Sequence, residues 1–411
     1  MTNLDIQTNG QTNEAAPVEA ALTRVGSEPA STLGGAAQRT QPARAPALSI
    51  SRRTRSTPFS SRVEAFGVKA YTVYNRMLLP TVFQSVEADY KHLKRHVQVW
   101  DVAVERQVEI KGKDADALVQ RLTPRDLSGV KTGRCVYIPA VDENGGMVND
   151  PVALKLGKNR WWISIADSDL LFWVKALAIA SNFDVKVFEP AVSPLAIQGP
   201  KADALAARVL GDKVHDIGFF KFAKLPFEGK QLIVARSGYS KQGGFEIYVE
   251  GDEIAEPLWD ALFAAGEDLK VRPGCPNLIE RIEGGLLSYG NDMTLANTPY
   301  ECGLGRFCSP GVKTDCIGGE ALMKAGKRPP ARQIRGLRIA GDPVPANRSP
   351  WPIHNGEKSL GEVTSAAWSP DFKTNVAIGM VARSHWAPGT HVTVSAPDGE
   401  RRAEVCTLPF A

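Results

Sequence analysis

Six cysteines and six histidines are the residues best suited to bind a metal or to form a nucleophile–base pair, and their spacing argues against both uses. Cys135, Cys275, Cys302, Cys308, Cys316 and Cys406 form no CxxC pair, and the gaps around Cys308 do not fit a zinc ribbon. They read as reduced thiols, packed or at the surface. The histidines are scattered without metal-ligand spacing, so no metal is expected. His215-Asp216 could form a catalytic pair, but no nucleophile stands in register with it, and the structural reading is preferred.

Composition narrows the class further. A chain of 411 residues allows two or three domains at roughly 100–200 residues each. The net charge of +4 comes without a separate Lys/Arg block, which argues against a dedicated nucleic-acid binder. No run approaches the roughly 18 apolar residues of a membrane span. The first residues lack an apolar segment and include Asp5, Glu14 and Glu19, so a cytoplasmic location is expected.

The elements that must position any site follow from periodicity. Residues 1–47 are rich in Ala, Thr, Gly, Pro and Gln and bury too little apolar surface to offset ordering entropy, so they read as a disordered extension. The basic cluster Ser51–Arg55 reads as a solvated hinge in preference to an anion entrance. Val108-Glu109-Ile110 alternates as a strand and leads through Gly112-Lys113-Asp114 into a helix over Ala115–Leu122. Trp161–Ile165 predicts a strand followed by a helix through Trp173 and Leu177. Leu195–Gln198 predicts a strand broken by Gly199-Pro200 into a helix over Lys201–Leu210. Leu232–Ala235 and Phe245–Val249 read as paired strands about a glycine-rich turn. This mixture is α+β with antiparallel sheet. Beyond the Pro/Arg-rich linker Lys327–Arg332, short strands over Ile334–Phe410 predict a small β-barrel.

Five segments in order carry a resemblance. They are Trp100-Asp101-Val102 with Gly112–Ala115, Tyr137 with Gly145–Asp150, Leu195–Ala202, Gly238–Glu246, and Arg281–Gly285 running on to Tyr289–Asp292. With Gly361–Ser365, Ser369-Pro370 and Leu408–Phe410 in the C-terminal part, the chain resembles the aminomethyltransferase (glycine-cleavage T-protein) family over residues 55–411. The resemblance implies three domains around a central folate channel: a folate-binding region of two interleaved domains over 48–326 and a C-terminal β-barrel over 327–411. It also implies tetrahydrofolate as co-substrate, with Tyr137, Tyr239, Glu246, Arg281 and Tyr289 as its binding residues. A carboxylate such as Glu246 can accept hydrogen bonds from the aminopyrimidinone edge of a pterin, and tyrosines supply flat walls.

The pair after the double glycine departs from the family. Aminomethyltransferases carry two aspartates there, whereas this chain has Asn149-Asp150. With Trp100–Arg106, Ile165–Asp169 and Ser56–Phe59, that change resembles the dimethylsulfoniopropionate demethylase branch. The implied reaction yields 5-methyltetrahydrofolate and 3-methylthiopropionate. A sulfonium loses a methyl group to a nucleophile without acid assistance, so the site's work is alignment, worth about 7–11 kcal/mol in favourable cases. Asn149, Asp150 and Tyr239 are the residues expected beside the reacting nitrogen. Aromatic faces suit a soft cation, which makes Trp173, Phe219 and Phe220 candidates for the methyl donor, with Lys221 for its carboxylate. Alternatives are another methyl donor (an aryl ether, a betaine or a methylamine), glycine cleavage itself, and folate binding without turnover. A homodimer is left open.

Overall fold

The computed structural model describes residues 50–309 and 315–411, so the expectation for residues 1–47 lies outside the described residues. Two sheets form the first part. One has six strands in the order Phe222–Phe227, Lys230–Ala235, Gly244–Glu250, Val192–Gln198, Gln98–Asp101 and Arg272–Gly274, antiparallel except for the last pair. The other has five antiparallel strands, Lys186–Phe188, Gln107–Lys111, Arg160–Ser164, Val152–Gly157 and Cys135–Tyr137. The chain leaves the first sheet after Asp101, builds the second, and returns at Val192.

Each sheet carries helices on one face. Ala115–Leu122 and Leu170–Ala180 pack Leu118, Val119, Leu122, Val174 and Leu177 onto Val108, Ile110, Trp161 and Ile163. Ala202–Leu210 and Ala255–Ala265 cover the six-stranded sheet in the same way. The other faces meet: Cys135, Leu154 and Trp162 from the five-stranded sheet pack with Val192, Ile233, Ala235 and Tyr248 from the six-stranded one. The rings of Trp162 and Tyr248 lie 5.8 Å apart.

The strand-to-helix turn is built twice with the same device. Gly112 and Gly199 both adopt positive φ, +141° and +126°. A Cβ on Gly112 would lie 2.4 Å from the Asp184 carbonyl oxygen, and one on Gly199 would lie 2.3 Å from that of His96. Only glycine permits both the conformation and the approach. The expected strands and helices around these glycines are present, as is the α+β class.

Arg332–Ile339, Thr374–Ala382, Lys358–Ser369, Trp351–Asn355, His391–Ala396 and Gly399–Cys406 close into a six-stranded barrel, as the sequence predicts. The helices Val86–Leu93 and Leu278–Glu283 seat against it through Tyr90, Ile279, Ile282, Val376, Ile378 and Phe410. A buried polar joint reinforces this contact. The Arg281 guanidinium donates to Asp292 Oδ2 at 2.9 Å and to the Ser365 hydroxyl at 2.6 Å, while Asp292 Oδ1 accepts from Thr364 and Ser365, each at 2.7 Å. The Tyr90 hydroxyl donates to Glu283 at 2.8 Å, and the Ser369 hydroxyl does so at 2.5 Å.

All six cysteines are free, and all but Cys406 are buried. Burial pushes each thiol up, to about 12 for Cys308 and about 11 for Cys316 and Cys406. No helix among the described residues is long and apolar enough to cross a membrane.

Removing one partner from a buried ion pair leaves the other charge unanswered, at a cost of about 3–5 kcal/mol. Asp292→Ala is therefore expected to lower the urea midpoint sharply, and the double variant Arg281→Met/Asp292→Leu to recover much of the loss. Equal losses in both would show that Arg281 does not depend on this partner.

Candidate active site

Two asparagines tie three segments to one loop. Asn75 begins the two-residue turn between the strands Ala70–Tyr74 and Met77–Val82, and it and Arg76 both have positive φ, 47° and 65°, as a tight hairpin turn requires. Its backbone N–H donates to Asp167 at 2.7 Å, its side-chain amide donates to the Val104 carbonyl at 2.9 Å, and its Oδ1 accepts from the Ser168 N–H at 3.2 Å. Asn149 ends the strand Met147–Asn149. Its Nδ2 donates to the Ala166 carbonyl at 3.1 Å and the Ser168 hydroxyl at 2.7 Å, and its Oδ1 accepts from the Ala166 N–H at 3.1 Å.

This geometry corrects one expectation. Asn149 is fully buried and its polar atoms are spent on residues 166–168, so it braces the site and does not face a substrate. Its neighbour turns the other way, because successive side chains on extended backbone point to opposite faces. Asp150 is half-buried and accepts a hydrogen bond from the Tyr137 hydroxyl at 2.9 Å. Burial pushes its carboxyl up to about 7, while the Tyr137 bond pulls it back.

Tyr74, Glu105, Tyr137, Asp150 and Tyr239 lie deep within protein, and all have pKa values raised chiefly by burial. Each nonetheless keeps partial exposure. They also lie within electrostatic reach of one another. Glu105, Asp150 and Tyr239 all act on Tyr74, while Asp150 and Glu246 act on Glu105.

Glu246 sits in the strand Gly244–Glu250 and is only 8% exposed. Its Oε2 accepts from the Ser237 hydroxyl at 2.5 Å and the Tyr248 hydroxyl at 3.2 Å. Its Oε1 receives no donor among the described residues, which leaves an oriented acceptor unused. Burial and the nearby Glu105 carboxyl oppose its ionisation, and the two hydroxyl donors favour it.

The remaining candidates divide. The Tyr239 hydroxyl donates to the Leu287 carbonyl at 2.7 Å, leaving its half-exposed ring as the free surface. Tyr289 donates to the Met147 carbonyl at 3.1 Å and lies within electrostatic reach of Asp150. Phe220 packs against the cluster that holds Cys135 and Tyr248, with a left-handed φ of 54°. The other four have different surroundings. The Arg281 guanidinium is committed to Asp292 and Ser365, so it is neither free for a folate carboxylate nor paired with Glu283. Trp173 is partly buried against the cluster between its helix and the five-stranded sheet, and its buried Nε1 has no hydrogen-bond partner among the described residues. Phe219 is 76% exposed. The Lys221 side chain is also exposed, because its segment crosses the surface between the Arg134 and Arg236 backbones.

Sequence reasoning missed Tyr74, Glu105, Ser237 and Tyr248. Tyr248 was findable, since it lies two residues from Glu246 on one strand and so shares its face. Glu105 was visible as a lone acid in a run of apolar residues, Val102 to Val104. Tyr74 and Ser237 carry no such signal.

The family described as GCVT N-terminal domain matches residues 59–311, and that described as glycine cleavage T-protein C-terminal barrel domain matches residues 332–411. The chain belongs to the aminomethyltransferase family. Dimethylsulfoniopropionate demethylase DmdA of Ruegeria pomeroyi is 60% identical over 355 residues, 86% of this chain and 97% of that protein. An aminomethyltransferase of Bacillus mycoides is 30% identical over 338 residues, 81% of this chain and 91% of that protein. The crystal structure of aminomethyltransferase T of the Bartonella henselae glycine cleavage system superposes with a TM-score of 0.78 at 24% identity, covering 87% of this chain and 98% of that one, a likeness of fold. In this member of the aminomethyltransferase family, the Asn149-Asp150 pair divides two tasks: the asparagine ties the 166–168 loop and the aspartate accepts from the Tyr137 hydroxyl.

Two variants test this arrangement. Asn149→Ala strands the Ser168 hydroxyl and two Ala166 backbone groups and is expected to cost about 1–3 kcal/mol for each buried group left unsatisfied; unchanged thermal unfolding would deny the bracing role. Asp150 has a raised carboxyl, so the folded state holds a proton that the unfolded chain releases near the ordinary aspartate value of 3.8. Stability contributed by this group thus falls as pH rises from about 4 to about 7. Asp150→Asn should melt higher than the parent at pH 8 and no higher near pH 4.

Proposed function

We propose that this aminomethyltransferase-family protein transfers a methyl group from dimethylsulfoniopropionate to tetrahydrofolate, giving 5-methyltetrahydrofolate and 3-methylthiopropionate. The observation that carries the reading is the Glu246 carboxyl, nearly buried, with Oε2 held by Ser237 and Tyr248 and Oε1 without a donor among the described residues. The 60% identity to a dimethylsulfoniopropionate demethylase over 97% of that protein supports the choice of donor. On this reading residues 48–326 hold the folate and residues 327–411 form the barrel.

The residues present suit a reduced pterin. Glu246 Oε1 accepts from its aminopyrimidinone edge, since Ser237 and Tyr248 already fix the other oxygen. Tyr137, Tyr239 and Tyr289 provide flat walls with their hydroxyls already committed. Tetrahydrofolate supplies a secondary amine that takes the methyl carbon while the C–S electron pair leaves with sulfur as a neutral thioether. Asp150 then accepts the proton that the amine sheds. A carboxyl held near 7 suits that exchange at neutral pH. The Asn75–Asn149 bracing fixes the surface against which the reactants align.

The direct assay incubates the purified protein with tetrahydrofolate and a panel of methyl donors, and detects 5-methyltetrahydrofolate by mass. Product from dimethylsulfoniopropionate is expected; product only from an aryl ether, a betaine or a methylamine would reject this donor. Glu246→Gln is expected to weaken folate binding by about 10-fold or more, through loss of a charge-assisted hydrogen bond worth roughly 1.5–3 kcal/mol. Unchanged folate affinity in that variant would remove Glu246 from the pterin site.

A further inference from the structure

Tyr239 stands on a loop that its own backbone does not hold. From Gly238 to Gln242 no backbone N–H donates to a backbone carbonyl among the described residues. Gly238 and Gly243 bound the stretch with positive φ, 153° and 78°. Glycine adds little stiffness of its own, so the shape of the loop must come from side chains elsewhere.

Two side chains supply it, one from inside the loop and one from outside. Inside is the amide of Gln198, the last residue of the strand Val192–Gln198 and only 1% exposed. The loop wraps so closely around it that a Cβ on Gly238 would lie 2.1 Å from Gln198 Nε2, and one on Gly244 would lie 2.9 Å from it. Gln198 Oε1 accepts from the Ser240 hydroxyl at 2.6 Å, and Nε2 donates to the Ser237 carbonyl at 3.3 Å. Outside is Glu280, on the helix Leu278–Glu283 and 2% exposed. Its Oε1 accepts from the Lys241 backbone N–H at 2.6 Å and from Gln242 Nε2 at 3.1 Å.

Packing does not call for an acid at position 280. Ile279 and Ile282 already fill the contact between this helix and the barrel. Glu280 Oε2 is buried without a partner among the described residues, which is unfavourable in itself. What the carboxyl contributes is one acceptor aimed at the loop. Burial raises the Glu280 carboxyl, while the Lys241 and Gln242 bonds lower it, and Oε1 accepts in either protonation state. The chain just beyond this helix also meets Tyr239 directly, because the Tyr239 hydroxyl donates to the Leu287 carbonyl at 2.7 Å.

Resting on the reading above that Tyr239 is a wall of the folate site, we infer that Glu280 is a positioning residue for tetrahydrofolate: with Gln198 it clamps the 238–243 loop and so holds the Tyr239 ring in place. Glu280 touches neither substrate on this assignment. Its effect reaches the folate through Tyr239 and leaves the methyl donor alone.

The test measures tetrahydrofolate affinity by calorimetry on the full chain, for the parent, Glu280→Ala, Glu280→Gln, Ser240→Ala, Tyr239→Ala and the double variant Tyr239→Ala/Glu280→Ala. Glu280→Ala should weaken folate binding about 10-fold, as expected when a buried acceptor leaves its donors unmet. Glu280→Gln keeps an acceptor of the same shape and should restore most of the affinity. The KM for tetrahydrofolate should follow the same order, with the KM for dimethylsulfoniopropionate near parental throughout. The double variant should bind folate no more weakly than Tyr239→Ala, because both changes act through one ring. Ser240→Ala loosens the Gln198 side of the clamp without touching the helix and should weaken folate several-fold, which keeps the test open should Glu280→Ala fail to fold. If Tyr239→Ala weakens folate, then parental affinity in Glu280→Ala or Ser240→Ala, or losses that simply add in the double variant, overturn the inference alone. Parental folate affinity in Tyr239→Ala overturns the folate role of Tyr239 and the inference with it.

Discussion

Charge taken out of water must be answered by an opposite charge, by hydrogen bonds or by a proton, and this constraint organises the interior of the chain. Two solutions stand side by side. Arg281 meets Asp292, and the pair draws Thr364 and Ser365 of the barrel into one network, so neutralisation also serves as a joint. Elsewhere, among the described residues, Asp150 and Glu246 pair with no cation and accept only hydroxyl donors from Tyr137, Ser237 and Tyr248. The first solution spends its charge on architecture, and the second leaves the acid without a counter-ion.

Position comes from backbone alternation locked by asparagine. Asn75 and Asn149 each bind the 166–168 loop, and Tyr74, Glu105 and Asp150 are the residues next to their contacts. An amide suits this task because it donates and accepts at once, which a carboxylate cannot do. That explains how an asparagine can stand where relatives of the family carry an aspartate. The chain gains a brace and keeps one acid on the facing side.

The sequence made the architecture legible wherever local chemistry dictates it. Gly112 and Gly199 announced their strand-to-helix turns because no other residue fits the φ and the carbonyl contact. Period-two alternation gave the strands flanking the glycine-rich turn, and the barrel followed from short strands behind a proline-rich linker. The site was legible in part. Asp150 does meet Tyr137 through a hydrogen bond, while Arg281 is taken by Asp292, and a sequence does not reveal which carboxylate will reach an arginine first. Trp173, Phe219 and Lys221 follow from residue type, which does not reveal that the first is partly buried and the other two are exposed. The motif segments themselves include structural joints: the Thr57 hydroxyl donates to Asp101 at 2.5 Å, so two of the segments that carry the resemblance are halves of one contact.

The six thiols give the fold a built-in reporter. Alkylating agents and oxidants attack the thiolate, and a thiol held near 11, as Cys316 and Cys406 are, is ionised in roughly one molecule in ten thousand at neutral pH. Folded chains are therefore nearly silent to such reagents, and modification is metered by how often the protein opens. Cys135 is the most informative of the six. It lies where the two sheets touch, so its labelling rate gauges how long that seam stays shut.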